Sequence, residues 1–206
     1  MKKILSFSMA LVLLICFASC GYSGATIQDV TIDIGATTMA TNEPTSGGEE
    51  IWIVTYSRNE FNEPTNEQAI TNDEAFVGTF SNSATTNSLL KARLFFNDYD
   101  ETIIRLYEYG TNDVKTSYSK GVWYKITVKD SYGYEKSLSG ISIPGRIGIL
   151  VLENHPANIS NIKVSTYIED KLRNDEDLKI YMAEEDRPGT NYLFEVEAGN
   201  FAELAH

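Results

Sequence analysis

The sequence predicts a mainly β protein, organised as a single β-sandwich or open barrel of about 8–10 mostly antiparallel strands with one or two short helices. Three observations support this class. From residue 49 onward, apolar and polar residues alternate with a period of two in most segments, clusters of turn-forming residues separate these segments, and helix-like patterns are short. The 206 residues, of which 42% are hydrophobic, are enough for one domain with its own core.

The clearest strand pair is predicted at residues 88–109, which we interpret as a β-hairpin. Apolar positions fall on one face of both strands, and an Asn-Asp-Tyr-Asp turn joins them. The inward positions are Leu90, Ala92, Leu94 and Phe96 in the first strand and Ile104 and Leu106 in the second. Shorter β-type segments precede the hairpin at residues 51–56 and 76–80.

Two further strands are predicted at residues 122–128 and 136–143, and they continue the hairpin as a meander. In the first of them the even-numbered positions form the better apolar set. Trp123 and Lys125 are therefore predicted to point away from the main core. Residues 147–152 are apolar on both faces apart from one glycine, which favours a central or covered strand.

The stretch 154–172 allows two interpretations, a helix that Pro156 opens and that runs to Leu172, or a strand around residues 162–168. We favour the helix. The rest of the chain is predicted to form a hairpin with an Asp-Arg-Pro-Gly turn, followed by a short helix that Asn200 caps. These last elements cover residues 178–182, 192–196 and 201–204.

The N-terminus has the organisation of a targeting signal. Two lysines precede an apolar stretch at residues 4–18, which is shorter than the roughly 20 residues of a membrane-spanning helix. The stretch closes with Phe-Ala-Ser-Cys and resembles the bacterial lipobox, with Phe where Leu is commoner. The resemblance implies lipid transfer to the thiol of Cys20, cleavage before it, and a location on the outer face of the bacterial cytoplasmic membrane. The alternative is a plain secretory signal in which Cys20 is incidental.

We therefore expect three parts: a lipoprotein signal peptide at 1–19, a lipid-anchored flexible tether at 20–48 and a β-rich globular domain at 49–206. The tether is rich in Thr, Gly, Ala and Asn, and a short strand at residues 30–34 is the alternative there. The formal net charge of −12 argues against nucleic acid as a partner, because a phosphate-binding surface needs clustered positive charge. We expect a monomer.

Three segments carry a resemblance in the predicted domain: Gly-Thr-Phe-Ser-Asn-Ser-Ala-Thr-Thr-Asn-Ser at 78–88, Leu-Tyr-Glu-Tyr-Gly at 106–110 and Asp-Arg-Pro-Gly-Thr-Asn-Tyr-Leu-Phe at 186–194. They resemble an uncharacterised accessory domain of secreted and lipid-anchored proteins of Gram-positive gut bacteria, over residues 51–204. The order of elements is also similar to the invasion-associated locus B type of envelope domain, whose paired cysteines this chain lacks. Neither resemblance implies an activity or a ligand.

Few residue types that support catalysis are present. The chain has 2 histidines and 2 cysteines, and the signal interpretation removes Cys16 and modifies Cys20. Carboxylates such as Asp98 with Asp100, or the acidic run 175–177, are alternatives for acid–base work or calcium binding, but they lack the spacing of a calcium loop. We predict no catalytic residue, no metal site and no cofactor.

One set of outward positions predicts a ligand face. If the meander brings three consecutive strands side by side, cations and aromatic side chains share one surface, where they are suited to sugars, peptides, carboxylates or phosphates. The set is Arg93, Arg105, Tyr107, Trp123 and Lys125. The alternative is that these groups stack on each other or lie under a helix. The small polar segment 81–88 is a second candidate, as a polar pocket or as a plain connecting loop.

The function predicted from these observations is a non-catalytic binding or interaction domain, tethered to the membrane through its lipid. Its partner is an envelope protein or a glycan. The alternatives are a carbohydrate- or cell-wall-binding module and a carboxylate-based hydrolase of envelope polymers. An exposed apolar patch would favour a role as an inhibitor or assembly factor for another envelope protein.

Overall fold

The computed structural model describes residues 50–59, 61–114, 121–142, 148–156 and 162–205. All the described residues belong to a single compact unit. The predicted signal peptide and tether, and Cys20 with them, lie outside the described residues.

The described residues form strands and two short helices. In chain order the strands are β1 (Trp52–Arg58), β2 (Pro64–Asn72), β3 (Phe76–Asn82), β4 (Thr85–Asn97), β5 (Thr102–Glu108), β6 (Asn112–Asp113), β7 (Val122–Asp130), β8 (Glu135–Ser142), β9 (Ile149–Leu152), β10 (Leu178–Glu184) and β11 (Asn191–Val196). The helices are α1 (Tyr167–Arg173), between β9 and β10, and α2 (Phe201–Leu204), after β11.

Eight of the strands close into an antiparallel barrel in the order β4-β3-β11-β10-β7-β8-β9-β5, with β5 pairing back onto β4. The 13-residue β4 makes closure feasible, because it pairs with β3 and β2 along one edge and with β5 along the other. The β1–β2 hairpin extends the sheet from β4. The mainly β class is therefore confirmed, with a closed barrel.

Alternation along each strand fills the barrel interior. In β7 the side chains of Tyr124, Ile126 and Val128 are buried, whereas Trp123 is half-buried on the outside and Lys125 is exposed, as predicted. Strand β9 lies between β8 and β5 and is buried along its whole length, so both of its faces are covered. Eight strands enclose a space that side chains can fill, so the interior forms the core.

The two helices pack where β7 ends and β10 begins. Ile168 and Leu172 of α1 are fully buried. Phe201 of α2 packs its ring edge-on against Trp52 of β1 and Phe96 of β4, with ring centroids 5.0 and 4.9 Å apart. Helix α2 thus attaches the β1–β2 hairpin to the core.

Two predictions of local structure are wrong. The favoured helix over 154–172 is wrong at the described residues 154–156 and 162–166, which are not helical, because Val164 forms a β-bridge with Leu152 before α1 begins. The segment 81–88 is not a connecting loop, because all of it except a two-residue turn belongs to β3 and β4. Strand β2, which pairs with β1, was not predicted. Most of its residues are polar and show no apolar alternation.

Candidate functional site

The five residues of the predicted ligand face lie on two separate parts of the barrel. Arg93, Arg105 and Tyr107 stand together on β4 and β5. Trp123 and Lys125 are on β7, whose neighbours are β8 and β10. The predicted adjacency of three consecutive strands is wrong, because β8 and β9 lie between β7 and β5.

Three cations are grouped on the outer face of β4 and β5. Arg93 stands directly opposite Arg105, and Lys91 stands opposite Tyr107. Like charges at directly opposite positions destabilise a strand pair unless other groups balance them. The balance within this group comes from Asp113 of β6, whose Oδ1 is 3.7 Å from Nη2 of Arg105.

Arg105 is held by aromatic rings. Its guanidinium carbon lies 5.8 Å from the ring centre of Phe95 and 5.5 Å from that of Tyr107, and its side chain is 13% exposed. Arg105 and Tyr107 therefore stack on each other, as in the alternative to the ligand face that the sequence left open. Burial raises the pKa of the Tyr107 phenol, although Arg105 acts in the opposite direction. Arg93 is less enclosed, and its Nη2 donates to the backbone oxygen of Asp73 at 2.9 Å.

The strand register connects these cations to a row of mostly apolar side chains. Lys91 stands opposite Val77 of β3 as well as opposite Tyr107. Two residues earlier on β4, Leu89 begins a row of directly paired outward positions that crosses four strands. This row is Leu89, Thr79, Leu193 and Tyr181.

Several apolar side chains of this region are in contact with solvent. Val77 is 65% exposed, Leu89 48% and Tyr181 41%. We call the whole surface on β5, β4, β3, β11 and β10 the cationic–apolar face. It consists of Arg93, Arg105, Tyr107, Lys91, Val77, Leu89, Leu193 and Tyr181. The apolar part of this face was not predicted from the sequence. The alternation in β4 that places Lys91 and Arg93 on the outside also places Leu89 there, so this residue could have been found.

Trp123 has different neighbours. Its ring lies 4.1 Å from the ring of His155, at an interplanar angle of 37°. Nε2 of His155 is 3.7 Å from Oε2 of Glu185, and the backbone N–H of Glu185 donates to the oxygen of Trp123 at 2.9 Å. One side of the indole is thus covered by a half-exposed imidazole, while Lys125 next to it on the same face is exposed.

The barrel interior contains polar side chains that sequence reasoning did not single out. Glu184, whose side chain is 5% exposed, accepts a hydrogen bond from Nε of Arg187 at 2.7 Å. The hydroxyl of Tyr192 donates to Oε1 of Glu108 at 3.2 Å. Burial raises the pKa of Glu184 and those of Tyr124 and Tyr192, so both phenols stay neutral. The sequence could have indicated Glu184, because the even-numbered residues of β10 point inward and Glu184 is the next of them.

Other carboxylates considered from sequence serve as hydrogen-bond acceptors. Asp98 accepts from the backbone N–H of Gln68 at 3.4 Å, and Asp177 accepts from the N–H of Ala198 at 2.9 Å. Across the described ranges, no group of three or more His, Cys, Asp and Glu side chains is arranged to hold a metal ion.

Comparison with known proteins gives no match: no protein-family model, no curated protein and no solved structure matches this chain. Within the described part of the chain, none of the helices has the length and apolar character needed to span a membrane.

Proposed function

We propose that this chain is a lipid-anchored, non-catalytic binding domain of the bacterial envelope, and that the cationic–apolar face binds an acidic envelope protein. A single observation supports this choice. The register places Lys91 between Tyr107 and Val77, so that cations and exposed apolar side chains form one continuous surface.

The chemistry of the face defines the partner. Arginine forks form paired hydrogen bonds with carboxylates, and exposed apolar side chains lose contact with water when a protein covers them. Stacking on Phe95 and Tyr107 holds Arg105 in place, so less side-chain entropy is lost on binding. The net charge of −12 repels acidic partners elsewhere on the molecule, which favours docking at this face.

A glycan is the second candidate, and Trp123 is the observation that favours it. An indole that is half-exposed beside the exposed Lys125 is able to stack on a sugar ring. The contact of Trp123 with His155 covers one side of its ring and leaves only the other side for a sugar. A carboxylate-based hydrolase is the weakest candidate, because Glu184 and Glu108 are each bound by another side chain.

The experiment compares single substitutions in the full-length chain, expressed in its bacterial membrane. Proteins cross-linked to the chain are identified by mass spectrometry, before and after the wall glycan is digested. Lys91→Glu reverses a charge inside the cationic–apolar face, and Val77→Asp disrupts its apolar part. Lys179→Glu is the matched control, because Lys179 is an exposed lysine of β10 that pairs with Glu195.

The expected result is that the same acidic proteins are lost with Lys91→Glu and with Val77→Asp but are kept with Lys179→Glu. Loss of one direct charge contact should weaken binding about tenfold, which is ~1.4 kcal/mol. Recovery that is equal in all three variants would contradict the proposal. Recovery that depends on undigested glycan and is lost with Trp123→Ala would favour the glycan candidate instead.

A further inference from the structure

A closed barrel has no free strand edge, but the β1–β2 hairpin lies outside the barrel and adds one. In the part of the chain that the structure describes, β1 pairs with β2 alone and forms the outer strand of the sheet. A free edge presents unpaired N–H and C=O groups, on which another strand can pair.

The hydrogen bonds at the start of β1 show which backbone groups face outward. The oxygen of Ile51 accepts from the N–H of Asp73, on the β2 side. The N–H and C=O of Trp52 face the other way, where both are bonded to the side-chain amide of Asn200. The backbone N–H and C=O groups of successive residues point to opposite sides of a strand. The odd-numbered residues of β1 therefore bond to β2, and the backbone groups of the even-numbered residues face outward.

Val54 and Tyr56 are the outward-facing residues that follow Trp52. Their side chains are 37% and 50% exposed. Strand β1 has the sequence Trp-Ile-Val-Thr-Tyr-Ser-Arg, with no Pro, Asp, Glu or Lys to block pairing. Natural edges are usually protected by such residues. Among the residues that the structure describes, no strand pairs with this edge at the two positions on either side of Thr55.

We propose that the edge of β1 is an interface on which a second copy of this chain pairs antiparallel, with the two-fold axis at Thr55. In this register Val54 of each copy stands opposite Tyr56 of the other. Within each of these two pairs, the residues form both backbone N–H···O hydrogen bonds. Each pair also brings a β-branched side chain next to an aromatic one. Asn200 bonds to Trp52 just outside this paired region, so it remains in place.

The charges on this edge favour a second copy in this orientation. Glu50 precedes the strand and Arg58 ends it, so each edge has a negative and a positive terminus. Antiparallel pairing directs Arg58 of one copy towards the end of the other copy that carries Glu50. A parallel arrangement would place like charges together. A symmetric interface requires such self-complementarity.

Disulfide cross-linking in bacterial membranes tests the interface with the full-length chain. Thr55 faces β2 through its backbone, so the two copies of Thr55 form the non-hydrogen-bonded pair, with Cα atoms about 4.5 Å apart. This distance suits a disulfide. Under mild oxidation, Thr55→Cys should yield a species of twice the monomer mass, above the level given by Cys16 and Cys20 in the parent chain. Ser137→Cys is the control, because Ser137 is an exposed residue of β8 on the barrel, outside the cationic–apolar face.

A second substitution tests the role of the strand pairing. Val54→Pro, added to Thr55→Cys, removes an outward N–H while leaving the bonds between β1 and β2, and it should abolish the cross-link. Val54→Ile should keep it. Three outcomes would overturn the proposal: no dimer with Thr55→Cys, an equal dimer with Ser137→Cys, or cross-linking of Thr55→Cys to a different protein. None of these measurements depends on the cationic–apolar face.

Discussion

The side-chain amide of Asn200 takes the place of a neighbouring strand for Trp52. Its Oδ1 accepts from the N–H of Trp52 at 2.8 Å and its Nδ2 donates to the oxygen of Trp52 at 3.0 Å, across 148 residues of sequence. Oδ1 also accepts from the N–H of Ile51 at 3.1 Å. Asn200 was predicted to cap α2, but it makes no side-chain capping bond there. It connects the first strand to the last turn of the domain.

Asn200→Ala should lower the free energy of unfolding by about 1–3 kcal/mol, because the part-buried backbone of Trp52 loses both bonds to the amide. Urea unfolding followed by tryptophan fluorescence measures the change. Asn112→Ala is the control, because Asn112 is exposed on β6. An equal loss of stability in both variants would show that the amide of Asn200 does not hold β1.

Local sequence patterns were sufficient for the β4–β5, β7–β8 and β10–β11 hairpins, but not for β1–β2 and β3–β4. Strands β4 and β5 were predictable because alternation and a short turn act within about 20 residues. The order of strands around the barrel was not, since β11 pairs with β3 and β9 pairs with β5 across long stretches of sequence. The local sequence pattern of a strand does not show which of several amphipathic strands it pairs with.

The candidate site was predictable only in part, for the same reason. The alternation along the two strands predicted that Arg93 and Arg105 point outward, and the predicted hairpin made them neighbours. The apolar continuation through Val77 to Tyr181 depends on β3, β11 and β10 lying side by side. The contact of Trp123 with His155 was not predictable either, because it joins a strand to a distant loop.

Replacement of the predicted lipid acceptor tests the location of the chain. Cys20→Ala should shift the chain from the membrane fraction to the soluble fraction, or leave an unprocessed precursor, because no other thiol remains after cleavage. Incorporation of a labelled fatty acid is the direct measurement. Cys16→Ala is the matched control, since Cys16 lies within the segment predicted to be removed, and it should keep both label and location. Label retained by Cys20→Ala would disprove the anchor.

A buried ion pair at the α1 end should make the domain sensitive to acid. Nζ of Lys171 is 3.0 Å from Oδ2 of Asp130, whose side chain is 3% exposed, and 2.9 Å from Oε2 of Glu176. The hydrogen bond from Lys171, with further bonds from backbone N–H groups, lowers the pKa of Asp130. A carboxyl with a depressed folded pKa stabilises the fold above its unfolded pKa of about 3.9, and this contribution disappears as the pH falls towards the folded value.

Lys171→Met should therefore lower stability at pH 7 and flatten the loss of stability that the unmodified chain shows in acid. Denaturant midpoints measured from pH 2 to pH 7 test both effects. Lys129→Met is the control, because Lys129 pairs with Glu135 at an exposed position and should shift the midpoint little. A pH profile of Lys171→Met that runs parallel to that of the unmodified chain would refute the assignment to Asp130.

Glu184 should give a pH dependence of the opposite sign. Burial raises its folded pKa above the unfolded value of about 4.3, so its contribution to stability is complete below that pH and is lost as the pH rises through the folded pKa. Glu184→Gln should gain stability relative to the unmodified chain over this interval. Arg187 is 70% exposed, so the loss of its ion pair should offset little. Glu195→Gln removes an exposed paired carboxylate and should show no such gain.

The approach of β3 to β11 at Gly78 should tolerate no larger residue. A Cβ at position 78 would collide with the backbone oxygen of Leu193 and with Cβ of Phe194, and neither atom can move without displacing a strand of the closed barrel. Gly78→Ala should therefore cost about 3 kcal/mol or more, which is at the upper end of overpacking effects. Gly189→Ala is the matched control, since a Cβ there meets no atom within 4 Å. Thermal unfolding of the two variants distinguishes the cases: because barrel closure depends on this strand pair, Gly78→Ala should unfold at a much lower temperature than the unmodified chain and Gly189→Ala close to it, and equal unfolding temperatures would mean that β3 and β11 do not meet at this register.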